Sequence, residues 1–94
     1  MEVKWSRRAV RDLVDIGEYI RQHDPRAARE LAARIVAATD GLAQHPEMGR
    51  PGRVPRTREL VISGTPYIVA YRVTGSHVGI ARVLHGARKW PRRL

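Results

Sequence analysis

The chain has 94 residues, no cysteine and a formal charge of +9, which excludes a disulfide scaffold, a thiolate metal site and a second independent core. A domain this small buries only about 60 to 65% of the surface that its unfolded form exposes, so a stabilising partner is expected. Charges every few positions from Met1 to Asp12, and the lack of any run of about 18 apolar residues, predict a cytoplasmic protein of one domain, residues 1–94, with no leader and no membrane span.

Val3 and Trp5 alternate with Glu2 and Lys4, the period of a short half-buried strand. Ser6 fits an N-cap, and Val10, Leu13, Gly17 and Ile20, with Val14, Ile16 and Tyr19 beside them, predict an amphipathic helix over residues 7 to 22. Gly17 costs such a helix about 1 kcal/mol against alanine, and its presence suggests a close crossing with another helix. Asp24 and Pro25 form a cap and a pre-organised first helical residue, and the stripe of Ala28, Leu31, Ala32, Ile35 and Leu42 carries a second helix to about Gln44. His45-Pro46 ends it, and the glycines and prolines between 49 and 55 predict irregular chain.

Three strands follow: residues 58–62, 67–73 and 78–85, separated by Ser63-Gly64-Thr65-Pro66 and Thr74-Gly75-Ser76. Tyr67, Val69, Tyr71 and Val73 share one face of the middle strand. The order β-α-α-β-β-β predicts an α+β fold, a helical hairpin packed on one face of a mostly antiparallel four-stranded sheet whose other face is open. Residues 86–94 form a basic tail anchored by Trp90.

The charge is one-sided. Residues 1–45 carry eight basic and seven acidic side chains, whereas residues 46–94 carry ten basic ones against Glu47 and Glu59 alone. Such a field attracts nucleic acid or an acidic protein segment. No Walker loop, dinucleotide fingerprint, HExxH pair or zinc spacing occurs, so neither a metal nor an organic cofactor is predicted, and no recognition helix of the helix-turn-helix kind is present.

Six segments in the same order resemble the RelE/ParE toxin superfamily, and its ParE-like branch of plasmid stabilisation proteins above all. They are Val3 to Ser6, Asp12-Leu13 with Ile16 and Tyr19-Ile20, His45 to Arg50, Thr57 to Leu60, Tyr67 to Arg72, and Arg82 to Trp90. The resemblance implies the β-α-α-β-β-β fold and a cognate acidic antitoxin that wraps the toxin in a hetero-oligomer. It implies either inhibition of DNA gyrase or cleavage of mRNA on the ribosome. Cleavage without metal needs a base for the 2'-hydroxyl, a donor to the phosphoryl oxygens and an acid for the leaving oxygen. By resemblance, Arg58 and Arg82 match phosphate-contacting arginines and His85 matches a C-terminal acid or base, making Arg58, Arg82 and His85 the candidate catalytic residues. The lysine pair that one branch carries before the meander is absent.

Structural readings of the same residues stand beside these. Arg82 fits a semi-buried residue paired with Glu59, Arg58 and Glu59 a stabilising pair, and His85 a strand-end cap acting through Gly86. Tyr67, Tyr71 and Trp5 fit core positions, and the cations from 88 to 93 fit a solvated tail. At the level of function, a gyrase-binding toxin without chemistry is favoured over a ribosome-dependent endoribonuclease, with a decayed regulatory relative as the third reading.

Overall fold

Local signals set the helical hairpin. In a computed structural model describing residues 1–94, Ser6 follows strand β1 (Glu2–Trp5), and its Oγ accepts the Ala9 N–H at 3.0 Å to start helix α1 (Arg7–Arg21). The same hydroxyl donates to the Ala81 carbonyl at 2.9 Å, so the cap also ties the helix to the last strand. Asp24 accepts from Ala27 N–H at 3.0 Å, and Pro25 opens helix α2 (Pro25–Asp40) as the sequence predicts. The α-helix stops four residues short of Gln44. From Gly41 the chain tightens into a 3-10 turn, Gly41–Ala43, a common ending where carbonyls lack α-helical partners.

Gly17 departs from expectation. A Cβ built on it meets nothing within 4 Å, so the two helices do not need a glycine there to approach each other. Gly17→Ala is therefore expected to raise stability by about 1 kcal/mol through helix propensity alone, seen as a higher denaturation midpoint. A drop in the midpoint would mean that the backbone at Gly17 is constrained by something other than its neighbours.

Four more strands complete the sheet: β2 (Arg50–Pro51), β3 (Arg58–Val61), β4 (Tyr67–Val73) and β5 (His77–His85). Their order is β1-β5-β4-β3-β2, with β1 parallel to β5 and every other pair antiparallel. The sheet thus has five strands where the sequence predicts four. The extra strand pairs Arg50 with Glu59 and Pro51 with Arg58 at the sheet edge, the one place where proline leaves no ladder bond unmade.

A bulge changes the faces of β5. Tyr71 pairs with Ile80 but Ala70 pairs with Arg82, so Ala81 is the extra residue. Simple alternation puts Arg82 on the face of Val78 and Ile80. The bulge hands that place to Val83, which packs at 2% exposure into a core built from Ile35, Leu42, Val69, Tyr71 and Val78. Tyr71 is fully buried in this core, and Trp5 and Tyr67 pack against it half-buried.

The opposite face of the sheet is not open. Ile68 and Ala70 alternate with Val69 and Tyr71, yet they are 7% and 0% exposed. Gly86 lies so near Ile68 that a Cβ on it would come within 3.0 Å of Ile68 Cδ1. Beyond it, Trp90 donates its indole N–H to the His85 carbonyl at 3.1 Å, and the Arg53 guanidinium stacks 3.6 Å over its ring. The basic tail is thus folded back and anchored by Trp90, and it shelters a face that alternation alone leaves bare.

Candidate functional site

The three candidate residues come from three positions on the sheet. Arg58 opens β3 opposite Tyr71, Arg82 lies in β5 opposite Ala70, and His85 ends β5 opposite Tyr67. Tyr71 and Tyr67 are four residues apart on one strand, a separation of about 13 Å. Arg58 and His85 also lie on opposite sides of β4. The fold therefore does not bring Arg58, Arg82 and His85 around a single phosphodiester.

Two of the three are engaged within the protein. Arg82 forms a bidentate pair with Asp12 of α1, Nε to Oδ2 at 2.7 Å and Nη2 to Oδ1 at 3.0 Å, and Asp12 Oδ2 also accepts the Val83 N–H at 3.0 Å. Both side chains are largely buried, 15% and 13% exposed. The hydrogen bonds from Arg82 to Asp12 push the guanidinium pKa above its ordinary value, against the effect of burial. Its partner is Asp12 and not Glu59, which lies two strands away on the far side of Ala70 and is held by Arg50 and Arg53. Arg58 donates through Nη1 to the Gly49 carbonyl at 2.7 Å and, more weakly, toward that of Glu47 at 3.5 Å. It stabilises the loop before β2 and makes no pair with Glu59.

Glu59 has other partners. It is 3% exposed and accepts from Arg50 Nη2 at 3.0 Å, from Arg53 Nε at 3.1 Å and from the Arg53 backbone N–H at 2.7 Å. Burial alone would raise its pKa, but the bonds from Arg53 and Arg50 outweigh it and hold the carboxyl below the ordinary value. Tyr71 is the other buried polar hub. Its hydroxyl donates to the Pro46 carbonyl at 2.8 Å and accepts the Gly49 N–H at 2.8 Å, and burial pushes the phenol pKa up.

His85 is the most available of the three. Its Nδ1 accepts the Ala87 N–H at 3.1 Å, which places the proton of the neutral ring on Nε2. The ring meets Tyr67 edge to face at 5.7 Å between centroids. It borders a cleft of about 300 Å³ with Tyr19, Tyr67, Trp90, Arg88 and Lys89 along its wall. In this tautomer His85 can donate a hydrogen bond through Nε2.

Sequence reasoning missed Asp12 as the partner of Arg82, the double arginine clamp on Glu59, and the tie from Tyr71 to the loop at 46–49. Asp12 is one of the residues that carry the resemblance, which is the one sequence signal that singles it out. Its partner is 70 positions away.

Residues 3–90 match the family description "ParE toxin of type II toxin-antitoxin system, parDE". The chain is 47% identical to a candidate toxin of Sinorhizobium fredii, Y4kP, over 98% of its own length and 95% of that protein's. It is 42% identical to toxin RelE2 of Caulobacter vibrioides, over 93% and 97% of the two chains. Among solved structures it is similar to a chain of a chromosomal ParDE TA system from P. aeruginosa, with a TM-score of 0.84, 31% identity and coverage of 90% and 95%.

Proposed function

This chain belongs to the ParE toxin family and is the toxin of a type II toxin-antitoxin system, and from that premise we propose that it acts by binding and inhibiting DNA gyrase, with no chemistry of its own. The observation that carries the reading is the engagement of Arg82. Asp12 takes the Nε hydrogen and one Nη2 hydrogen of Arg82 and neutralises its charge, so the guanidinium has less to offer a developing phosphoryl charge, and breaking that pair would leave a carboxylate buried and unpaired. Arg58 spends only Nη1 on the 47–49 carbonyls, but it lies across β4 from His85. A centre for metal-independent RNA cleavage would need these donors free and close together.

The antitoxin of this pair is expected to be acidic and to cover apolar as well as cationic surface. Val10 and Val14 are exposed one turn apart on α1, where an amphipathic helix from the partner would bury them. An extended acidic segment would meet the cationic second half of the chain.

The test is plasmid supercoiling by purified gyrase with ATP, with the toxin added alone and then with its antitoxin. Arrest of supercoiling that the antitoxin reverses is the expected result. An unaffected reaction, from folded protein that still stops cell growth, would overturn the reading. It would favour ribosome-dependent mRNA cleavage, for which the cleft beside His85 is the supporting feature and Arg58, Arg82 and His85 the residues to vary. In that case His85→Ala would abolish toxicity while leaving antitoxin binding intact.

A further inference from the structure

The loop between β2 and β3 holds a residue in a conformation its side chain disfavours. Val54 to Thr57 form a turn closed by the Thr57 N–H to the Val54 carbonyl at 3.2 Å, with Pro55 second and Arg56 third. Arg56 has φ +64°, and it is the one non-glycine residue of the chain with positive φ. The third place of such a turn ordinarily takes glycine or asparagine. An arginine there carries strain that persists only because its surroundings impose it.

Those surroundings are rigid. The Gly52 N–H donates to the Thr57 carbonyl at 2.8 Å, the Arg53 N–H is fixed on Glu59, and Val54 and Thr57 are each 7% exposed. The turn therefore projects Arg56 from a pinned base. Arg56 and Arg58 together border a shallow cavity of about 360 Å³ whose walls are mostly polar, with Pro51 and Val73 at its rim. No carboxylate pairs with either guanidinium.

The cations continue beyond this cavity. Four arginines lie between residues 50 and 58 and four more cations between 88 and 93, and the stacking of Arg53 on Trp90 joins the two groups. The acids of this half of the chain are Glu47 and Glu59, and Glu59 is buried and already spent on Arg50 and Arg53. A surface of separated, unneutralised guanidiniums with little apolar area fits a polyanion better than a docking helix, which would need an apolar seat.

We infer that this surface binds the phosphodiester backbone of a nucleic acid without regard to sequence, and that Arg56 is held in its strained turn to contact a phosphate. This goes beyond the proposed action on gyrase and is measured without it. Duplex DNA and single-stranded RNA share the chemistry that the surface recognises.

The experiment is fluorescence anisotropy of a short labelled duplex DNA and, in a second arm, a single-stranded RNA of equal length, titrated with the full chain at several salt concentrations. The variants are Arg56→Gly and Arg56→Asn, both of which relieve the turn, and Arg21→Ala, which removes an exposed charge paired with Glu18 on α1. The expected result is that the two Arg56 variants melt no lower than the parent yet bind about eight-fold more weakly at 0.1 M salt, with the log–log salt slope reduced by about 0.9 for the duplex. Arg21→Ala should bind as the parent does. Tighter binding of the duplex would identify DNA as the source of the phosphates, and tighter binding of the single strand would identify RNA. Parent-like binding by both Arg56 variants would overturn the inference. So would binding of polyglutamate in place of either nucleic acid, since that would make the surface a site for an acidic protein.

Discussion

Replacing Asp12 by alanine should cost the fold about 4 kcal/mol, within the range for removing one partner of a buried ion pair. The loss has two parts. Arg82, 15% exposed, keeps its charge with no counter-ion, and the Val83 N–H at the edge of β5 loses its acceptor. A domain of this size has a total stability of about 5 to 14 kcal/mol, so the variant would be close to unfolding in the absence of its antitoxin.

Denaturant titration of parent and variant measures the difference directly. Asp12→Asn keeps an acceptor for Val83 but no charge for Arg82, and should lie between the two. Replacing both members of the pair by apolar residues of similar volume, Asp12→Leu with Arg82→Met, should recover most of the loss, because the cost lies in the orphaned charge rather than in the absent attraction. A loss below about 1 kcal/mol for Asp12→Ala would put the pair in the class of solvated surface bridges and leave Arg82 free for other work. The measurement thus bears on function as well as on folding.

What the sequence makes legible here is whatever depends on near neighbours. Ser6, Asp24 and Pro25 mark the helix starts because capping involves only the next few residues. The helical hairpin and the core position of Tyr71 follow from periodicity and connection rules, and the β-α-α-β-β-β order holds with one edge strand added. The features that escaped are set by register and by distant contacts. Nothing local marks Ala81 as a bulge, and without it Arg82 is assigned to the wrong face, while its carboxylate, Asp12, is 70 positions away in α1. Arg50-Pro51 looks irregular because proline argues against a strand, and its pairing at an edge is visible only once β3 has its partner.

The candidate site shows the same division. The residue types at 58, 82 and 85 suit phosphate chemistry, but chemistry depends on whether they converge and whether their donors are free. Both are properties of the assembled sheet. The cation excess after residue 46 was plain from the sequence, whereas only the structure distinguishes Arg50 and Arg53, held on Glu59, from Arg56, which has no acid beside it. Part of the charge in the second half of the chain is structural, and what is left over lies on Arg56, Arg58 and Arg72 and on the folded-back tail.

Tyr71→Phe should cost about 3 kcal/mol although it removes a single oxygen. That oxygen satisfies two main-chain groups at once, the carbonyl of Pro46 and the N–H of Gly49, and phenylalanine would leave both without a partner at about 1 to 3 kcal/mol for each buried group. Water has little room to replace it, since Tyr71 is fully buried and a Cβ on Gly49 would already stand 2.6 Å from the hydroxyl. The difference should also depend on pH. Burial raises the phenol pKa above its ordinary value in the folded state, so the neutral hydroxyl contributes stability that is complete below the unfolded pKa of about 10 and is lost as the pH rises through the folded value. Denaturant midpoints for parent and Tyr71→Phe should accordingly run parallel near neutrality and converge above about pH 10, as the parent alone loses that contribution. Curves that stay parallel through the alkaline range would mean that the hydroxyl ionises as easily in the folded protein as in the unfolded chain, and that the loop at 46–49 opens to water before the core does.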